Sequence, residues 1–406
     1  MNQTKPTISL STTESLMPQE EMLEIPHQQA SLTIGIPKEI SNNESRIGLV
    51  PEAVKLLVEN GHRILIETLA GKKARYSDRE FAEAGAEICS TRDQVFKADI
   101  VLKIAPPIRE EIELLGNRKC LFSVLQLPAR TKDYFQQLTN KKIKAIAFEF
   151  LQDKTGALPL VKGMSEIIGN ACMMIASEYL CHPQYGKGSM LGGFPGVAPT
   201  EVVIIGAGTV AEYASRAALG MGALVKVFDN SMYKLRSLQA KSGMRLYTST
   251  LHPLIIEQAL KTADVVIAAK YSSTGISPCL ITESAITNMK EGTVIIDVSI
   301  DQGGCFETSR PTTHQNPVYQ IQGVTHYCVP NIASRVPRTA STSFSNFFAP
   351  LLLEIAAHGG VDNLLKHDRG LAKGTYIFNG TITNQQISQL YDLPFQPLDL
   401  LLAAYL

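Results

Sequence analysis

The amino-acid sequence predicts an α/β fold of two domains, each with a parallel sheet covered by helices. Short apolar runs rich in β-branched residues alternate with helical patterns along most of the chain, which is typical of parallel α/β domains. The alternation falls into two blocks that meet near residue 160. At the centre of the second block lies a complete strand–turn–helix–strand unit, from Glu201 to Asp229.

The first block begins with a strand pattern at Thr33–Ile36. A helix is predicted to start at Pro51, because proline is favoured in the first helical turn, and to end at Gly61. Four more strands are predicted at 63–67, 99–104, 120–124 and 144–148, with helices at 78–84 and 132–139. This order predicts the first parallel sheet.

The central unit has the residues that a dinucleotide site needs. After the apolar strand at 202–205, the turn carries Gly206, Gly208 and Ala211 in the pattern G-x-G-x-x-A. The first glycine permits the tight turn, the second lets backbone N–H groups approach a pyrophosphate, and the alanine allows close helix–strand packing. The next strand leads to Asp229, which is placed to hydrogen-bond both ribose hydroxyls of an unphosphorylated adenosine. The unit therefore predicts an NAD site.

Further patterns complete the second block. The run from Ser165 to Tyr179 predicts a long helix whose small and sulfur-bearing side chains pack against a sheet or another helix. The segment 186–199 has five glycines and two prolines, which predicts a mobile connector or lid edge. Strands are predicted at 264–268 and 293–298, and the second ends in a glycine-rich turn. Ligands of open α/β sheets bind at such strand ends.

The two ends of the chain have weaker patterns. Residues 1–31 are polar and lack sustained periodicity, which predicts a flexible extension, with a helical arm at 15–24 as a candidate element. A helix is predicted at 343–357, and the mixed tail at 365–406 is too short for a separate domain. The predicted domains are a discontinuous first domain and a nucleotide-binding domain inserted into it, at residues 32–160 with 337–406 and at 161–336.

The composition excludes several classes of protein. Lys plus Arg and Asp plus Glu both count 38 among 406 residues, so the charge balance gives no case for nucleic acid or membrane partners. No apolar run approaches the ~18 residues of a membrane span, and the N-terminal residues lack the apolar core of a secretory signal. Seven cysteines without a C-x-x-C pair or a Cys/His cluster predict reduced thiols in the cytoplasm and no metal site.

Five motifs follow one another along the chain. They are G-I-P-K-E with N-N-E-S-R at 35–46, M-S-E at 164–166, V-I-I-G-A-G-T at 203–209, I-D-Q-G-G-C-F-E at 300–307 and S-R-P-T-T at 309–313. In this order they resemble the alanine dehydrogenases and the soluble nucleotide-binding domain of proton-translocating transhydrogenase. The last two are much closer to alanine dehydrogenases. The likeness covers nearly the whole chain from Thr33 onward.

The resemblance implies two Rossmann-type domains, with an NAD-binding domain inserted into a split catalytic domain and the active site in the cleft between them. It also implies a homohexamer. The implied reaction belongs to amino-acid catabolism: reversible oxidative deamination of L-alanine to pyruvate and ammonia, with NAD as the hydride acceptor.

The resemblance also assigns roles to individual residues. Arg46 stands where the family keeps its carboxylate-binding arginine, and a planar guanidinium suits that task. Asp301 stands where the family keeps an acid beside the nicotinamide ribose and the substrate. Positions that line the cofactor in the family correspond to Ser165, Lys234, Val298, Val329 and Asn331.

Two positions depart from the family pattern. The family has a carbonyl-polarising lysine where this chain has Ala105, and a histidine acid/base where it has Gln126. Alanine neither donates a hydrogen bond nor carries charge, and glutamine does not exchange a proton near neutral pH. The side chains that the family uses for carbonyl binding and proton transfer are therefore replaced.

Several alternatives stay open at this point. Lys103 lies two residues before Ala105, hence on the same face of a strand about 6.6 Å away, and is a candidate to replace the missing lysine. Asp301 or a bound water is a candidate for the proton transfer, and Lys270 is a further candidate cation near the nicotinamide. The substrate is then alanine or a larger amino or 2-oxo acid. The competing interpretations are a non-catalytic NAD(H)-binding protein and a transhydrogenase subunit, which requires a membrane partner.

Overall fold

The structure, a computed structural model, describes residues 30–270 and 277–404. The predicted helical arm at 15–24 lies outside the described residues. Within them the chain forms two sheets of eight and seven strands, both mainly parallel and covered by helices. The predicted α/β fold class is confirmed.

The first sheet has the strand order β15-β14-β6-β5-β4-β1-β2-β3, in which β1 to β6 are parallel and β14 and β15 add an antiparallel edge. Its strands are Thr33–Ile36 (β1), Arg63–Glu67 (β2), Glu87–Cys89 (β3), Ile100–Leu102 (β4), Cys120–Ser123 (β5), Lys144–Ala147 (β6), Thr375–Phe378 (β14) and Thr381–Ile382 (β15). The C-terminal segment thus pairs with β6. The domain boundaries themselves stay a prediction.

Helices on this sheet come from both ends of the chain. They are Pro51–Glu59 (α1), Asp78–Glu83 (α2), Arg92–Phe96 (α3), Arg109–Leu114 (α4), Lys132–Asn140 (α5), Val361–His367 (α12), Arg369–Gly374 (α13), Gln385–Tyr391 (α14) and Leu398–Ala403 (α15). The central strands are apolar on both faces because helices cover both sides of the sheet.

The second sheet has the strand order β12-β13-β11-β10-β7-β8-β9, with β12 antiparallel to β13. Its strands are Glu201–Ile205 (β7), Leu224–Phe228 (β8), Tyr247–Ser249 (β9), Val265–Ala268 (β10), Val294–Asp297 (β11), Val318–Ile321 (β12) and Val324–Tyr327 (β13). Its helices are Thr209–Gly220 (α7), Met232–Ser242 (α8), Pro253–Thr262 (α9) and Glu283–Thr287 (α10).

Two long helices, Pro159–Leu180 (α6) and Pro337–Ala357 (α11), connect the two sheets and pack against each other. Both begin earlier than their predicted starts at 165 and 343, at a proline in the first helical turn. In α6, an added Cβ at Gly169 would meet the Val210 carbonyl oxygen at 2.6 Å, so glycine permits close packing on α7. The predicted packing role of the small residues in α6 agrees with this contact.

The seven cysteines are all free thiols, and five of them are buried. Among the described helices, none combines the length and the apolar character that crossing a lipid bilayer requires.

Candidate active site

The loops that follow β1, β4 and β5 meet at one edge of the first sheet, because these three strands are parallel neighbours. Arg46, Lys103 with Ala105, and Gln126 lie on these three loops. The fold therefore brings the predicted substrate residues of the first domain to the same end of the sheet.

Arg46 is buried, with 9% of its surface exposed, and it pairs with Glu44. Its Nε donates to Glu44 Oε1 at 2.8 Å and its Nη2 to Oε2 at 2.6 Å, so the carboxylate is bound by two parallel hydrogen bonds. The guanidinium lies 5.1 Å from the centre of the Phe344 ring, and its Nη1 is 3.5 Å from Met164 Sδ. Because the arginine is beside it, the pKa of Glu44 is lowered despite its burial. Nη1 is thus the guanidinium nitrogen left without an oxygen acceptor among the described residues.

The loop that carries Arg46 is held by hydroxyl groups from α11. The Ile47 amide donates to Ser341 Oγ at 2.9 Å and the Val50 amide to Ser345 Oγ at 2.7 Å. Both serines are buried, so the helix satisfies backbone donors that would otherwise lack partners. The first domain thereby fixes the arginine loop through its C-terminal part.

Lys103 lies beneath this edge and is 2% exposed. Its ammonium group pairs with Glu39 and lies 3.6 Å from Glu111 Oε1. Burial raises the pKa of Glu39, and Lys103 opposes that effect. The strand β4 ends at Leu102, but the Lys103 amide still donates to the Phe122 carbonyl at 2.9 Å. The Lys103 ammonium is paired with two carboxylates, and its reach to a substrate stays a prediction.

Ala105 and Gln126 both lie at the sheet edge, but each has only backbone contacts there. The amide of Ala105 is 3.3 Å from Glu39 Oε1. Gln126 has a left-handed backbone with φ of 49°, and its side chain is exposed. Behind it, Glu149 Oε1 accepts from the amide of Leu125 at 2.7 Å, and burial raises the pKa of Glu149 to about 7.

Lys73, which the sequence analysis did not single out, contacts the loop that carries Arg46. The Lys73 ammonium donates to the carbonyl oxygens of Ser41 at 2.7 Å and Glu44 at 3.0 Å. Partial burial lowers the pKa of Lys73, while the charges of Glu39 and Glu44 oppose the shift. It therefore ties the turn before α2 to the loop that carries Arg46.

In the second domain the glycine turn has the geometry expected for a nucleotide loop. Gly206 has φ of +109°, and a Cβ there would meet the Ala269 carbonyl oxygen at 2.4 Å. A Cβ on Gly208 would meet nothing within 4 Å, so the space in front of the first turn of α7 is open. Ala211 is fully buried between helix and sheet. The open space and the free amides at this helix start fit a pyrophosphate.

Asp229 is placed at the end of β8 but is already engaged. Its Oδ2 accepts from the Ala207 amide at 2.9 Å and its Oδ1 from the Ser231 amide at 2.8 Å. The Lys270 ammonium lies 3.5 Å from Oδ1, and Asp229 is only 2% exposed. The carboxylate therefore fixes the glycine turn, and its contact with both ribose hydroxyls stays a prediction.

The other predicted cofactor residues lie on the second sheet, on its helices and on α6. Lys234 is exposed at the start of α8, Val298 is half-buried at the end of β11, Val329 is buried beyond β13, and Ser165 is half-buried on α6. These positions follow parallel strands or face them, as the doubly wound topology requires. Their individual contacts with a cofactor stay predictions.

Asp301 and Asn331 connect the two domains. Asp301 follows β11 in a 3₁₀ turn and is exposed to the cleft, where the surrounding protein raises its pKa to about 6 and the charge of Arg46 opposes the shift. The Asn331 backbone amide also hydrogen-bonds the Asp301 carboxylate. Across the cleft, Asn331 Nδ2 donates to Glu44 Oε2 at 2.9 Å. Arg46, Glu44, Asn331 and Asp301 therefore form one cluster from both domains.

Family models for the two halves of this architecture match the chain. The model described as "Alanine dehydrogenase/PNT, N-terminal domain" matches residues 35–168, and "Alanine dehydrogenase/PNT, C-terminal domain" matches residues 172–385. The chain belongs to the alanine dehydrogenase/PNT family. Alanine dehydrogenase of Mycolicibacterium smegmatis is 40% identical over 90% of this chain and 98% of its own length. The alanine dehydrogenase of Mycobacterium tuberculosis is 38% identical over the same shares.

Solved structures agree with this assignment. An L-alanine dehydrogenase superposes with a TM-score of 0.82 and 36% identity, over 88% of this chain and 99% of that one. A transhydrogenase from Sinorhizobium meliloti superposes with a TM-score of 0.74 and 20% identity, over 87% and 99%, which shows a shared fold. Proteins of the alanine dehydrogenase/PNT family bind NAD(H), and the open glycine turn of this chain fits that cofactor.

The sequence analysis missed three residues that hold the candidate site of this alanine dehydrogenase/PNT family member together. Glu44 belongs to the motif at 35–46 and lies two residues before Arg46, and this short separation was the available signal for the ion pair. Asp297, which accepts from the Ser299 and Cys305 amides, fixes the Asp301 turn, a role that the sequence pattern left unassigned. Lys73 carried no signal, because its partners lie about 30 residues away.

Proposed function

We propose that this chain is an NAD-dependent amino-acid dehydrogenase that interconverts L-alanine and pyruvate with ammonia. One observation carries the proposal: Arg46 of the first domain and Asp301 of the second belong to one cluster across the cleft, joined by Glu44 and Asn331. NAD(H), when bound at the glycine turn, supplies the hydride chemistry. The protein side chains orient the substrate beside it.

In this proposal Arg46 binds the substrate carboxylate. Its Nη1 is available, whereas Nε and Nη2 are occupied by Glu44, so a bound carboxylate either uses Nη1 or exchanges with Glu44. Glu44 keeps the guanidinium oriented in the absence of substrate. Asp301, with a pKa of about 6, is a carboxyl group that exchanges protons near neutral pH.

We further propose that Ala105 and Gln126 replace the lysine and histidine that the resemblance implies for these positions. Neither side chain exchanges a proton near neutral pH. Lys103 pairs with Glu39 and Glu111, so we propose that it supports the site from below, and its substrate-binding role stays the less favoured hypothesis. Lys270, beside Asp229, lies close to the nucleotide turn and is a weaker candidate for the carbonyl.

A second candidate function is NAD(H) binding without turnover, and a third is turnover of a different amino or 2-oxo acid. Both are favoured by the same observation, the absence of a charged or proton-exchanging side chain at 105 and 126. Room at Ala105 is compatible with a larger side chain on the substrate.

The test measures NADH oxidation by the purified chain with pyruvate and ammonium, and NADH binding on the same sample. Turnover of order 1–10³ s⁻¹ supports the dehydrogenase. NADH binding without turnover contradicts alanine as substrate, and a panel of 2-oxo acids then separates the second candidate from the third. Absence of NADH binding contradicts all three.

From the resemblance we also propose a homohexamer located in the cytoplasm. Light scattering on the purified protein tests the first point, since a hexamer has close to six times the chain mass of 44.3 kDa. Fractionation of the source cells tests the second.

A further inference from the structure

His314 is a titratable side chain next to the cluster of Arg46 and Asp301, and the site described so far gives it no role. It lies on the loop between Cys305 and β12. Among the hydrogen bonds that hold this loop, the Thr312 amide donates to the Cys328 carbonyl at 3.0 Å and the Asn316 amide to Thr313 Oγ1 at 3.2 Å. The loop therefore presents His314 from a fixed frame.

The ring of His314 lies against the residue that joins the two domains. The Asn331 backbone hydrogen-bonds the imidazole in a way that favours its protonated form, as a carbonyl acceptor does. The amide of the same residue donates to Asp301. Asn331 has a left-handed backbone with φ of 61°, which asparagine tolerates better than most residues. Asn331 therefore contacts both His314 and Asp301.

The other ring nitrogen of His314 lacks a hydrogen bond within the described residues. His314 Nε2 is enclosed by protein and has no hydrogen-bond partner among the described residues. Leaving a buried polar atom without a partner costs about 1–3 kcal/mol, and in native structures such atoms call for an explanation, a catalytic role among them. The charges of Arg46, Glu44 and Arg335 all act on the ring. The unsatisfied nitrogen therefore belongs to a ring that lies within the electrostatic influence of Arg46, the proposed carboxylate ligand.

We propose that His314 is the proton-exchanging residue of this active site and provides the acid/base function that Gln126 does not. This rests on the dehydrogenase activity proposed above. In the deamination direction, water adds to C2 of the iminium as the new C–O bond forms, and the imidazole takes one water proton. The proton passes to the amine nitrogen, the C–N bond breaks with its electron pair to nitrogen, and ammonia leaves. The hydroxyl proton returns to the ring as the C=O bond forms, and the ring then releases it to ammonia or solvent.

The charge state suits this role. Burial and the nearby arginines lower the pKa of His314 from 6.5, against the effects of Glu44 and the Asn331 backbone, so the ring is neutral at pH 7 and accepts a proton. The deamination rate then rises with pH until the ring is fully deprotonated. Asp301 also titrates in this range, so the pH dependence has to be compared between variants that retain Asp301.

The experiment compares the full-length protein with His314→Asn and His314→Gln, which keep a hydrogen-bonding side chain but do not exchange a proton. His358→Asn, at a half-buried histidine that follows α11 and lies in the other domain, is the control. We expect the two His314 variants to lose 10²–10⁴-fold in kcat for alanine deamination while the Kd of NADH changes less than threefold. In the pH profile of kcat, we also expect the low-pH limb to change in both His314 variants. Added imidazole should partly restore the kcat of H314N. H358N should keep the kcat and the NADH affinity of the unmodified protein.

Three results overturn the inference. If the unmodified protein turns over but H314N keeps its kcat within threefold, His314 is not the acid/base residue and the dehydrogenase proposal stands. If the unmodified protein binds NADH but turns over no amino or 2-oxo acid, both proposals fail. Equal losses of NADH binding and activity in H314N and H314Q would show a structural role for the residue and also contradict the inference.

Discussion

Removing the Lys103 side-chain charge tests whether this residue supports the site or contacts the substrate. The ammonium is 2% exposed and pairs with Glu39, which is 6% exposed, and Glu111, which is 1% exposed. Lys103→Met keeps most of the volume but leaves the carboxylate of Glu39 buried without its cation. Breaking a buried pair in this way costs about 3–5 kcal/mol. Glu111 keeps Arg92 at 3.4 Å, so Glu39 bears most of the loss.

The sign of the pH dependence follows from the pKa of Glu39, which burial already raises above 4.5. Without Lys103 it rises further, so in K103M the folded state holds a proton that the unfolded state releases. The variant is therefore closest to the unmodified protein in acid and loses stability as pH rises through the folded-state pKa. Adding Glu39→Gln removes the buried charge and keeps an oxygen for the Ile104 amide, now bonded at 2.6 Å. We expect the double variant to recover at least half of the loss.

Thermal unfolding at pH 5 and pH 8 measures both effects, with Lys97→Met, a 64% exposed lysine, as the control. We expect Tm at pH 8 to fall by on the order of 5–10 °C in K103M and by less than 2 °C in K97M. If K103M keeps its Tm while activity is lost, the supporting role is refuted and Lys103 acts on the substrate. If K103M/E39Q regains stability but not activity, the same conclusion holds.

Three further predictions test other parts of the site. The free energy of unfolding of Glu149→Gln should depend less on pH than that of the unmodified protein. Because the pKa of Glu149 is raised to about 7, the unmodified protein loses up to about 3 kcal/mol of stability between pH 4.5 and pH 7. Urea unfolding measures this, with the exposed Glu257→Gln as control, and an equal pH dependence in E149Q and the unmodified protein would contradict it. Gly206→Ala should lower Tm, since its Cβ would meet a carbonyl oxygen at 2.4 Å. Gly208→Ala should keep Tm and weaken NADH binding at least tenfold. Calorimetry measures both quantities, and equal behaviour of the two variants would refute the separate roles given to the two glycines. Arg46→Lys should raise KM for pyruvate at least tenfold with unchanged Kd for NADH, because lysine does not form the bidentate pair with Glu44, and an unchanged KM would argue against Arg46 as the carboxylate ligand.

The sheets were predictable because strands covered on both faces are continuous apolar runs, such as residues 202–205. The starts of α6 and α11 were each predicted six residues late. The first turn of α11 is polar or small and carries little helical periodicity. The proline in each first turn was the available signal. The end of β4 was predicted at residue 104 and lies at Leu102, although hydrogen bonds to the β5 segment continue to residue 104. The relation between residues 103 and 105 stays a prediction.

The interactions within the site were less predictable, because they join residues far apart in the sequence. Lys103 and Glu39 are 64 residues apart, and Asn331 and Glu44 are 287 apart. Neither pair belongs to a local pattern. The motif at 35–46 and the turn at 300–304 indicated where ligands bind, but the partners of each charge depend on how the two sheets face each other. His314 had no signal at all, since a histidine in a loop is usually solvated.

Ala105 changes the charge balance of the site as well as its hydrogen bonding. Eight charged side chains are joined by ion pairs and hydrogen bonds at this edge of the first sheet, and their formal charges cancel. They are Arg46, Lys73, Arg92 and Lys103 with Glu39, Glu44, Glu67 and Glu111. A lysine at position 105 would leave one positive charge for the substrate carboxylate. With alanine at position 105, a bound substrate carboxylate adds a negative charge that no side chain of this cluster balances. Proton uptake by a carboxyl group whose pKa is already raised, Glu39 or Asp301, neutralises this charge at the smallest cost in free energy. We therefore expect the binding of a 2-oxo acid to be coupled to the uptake of a proton, which the amination direction of the proposed reaction also consumes.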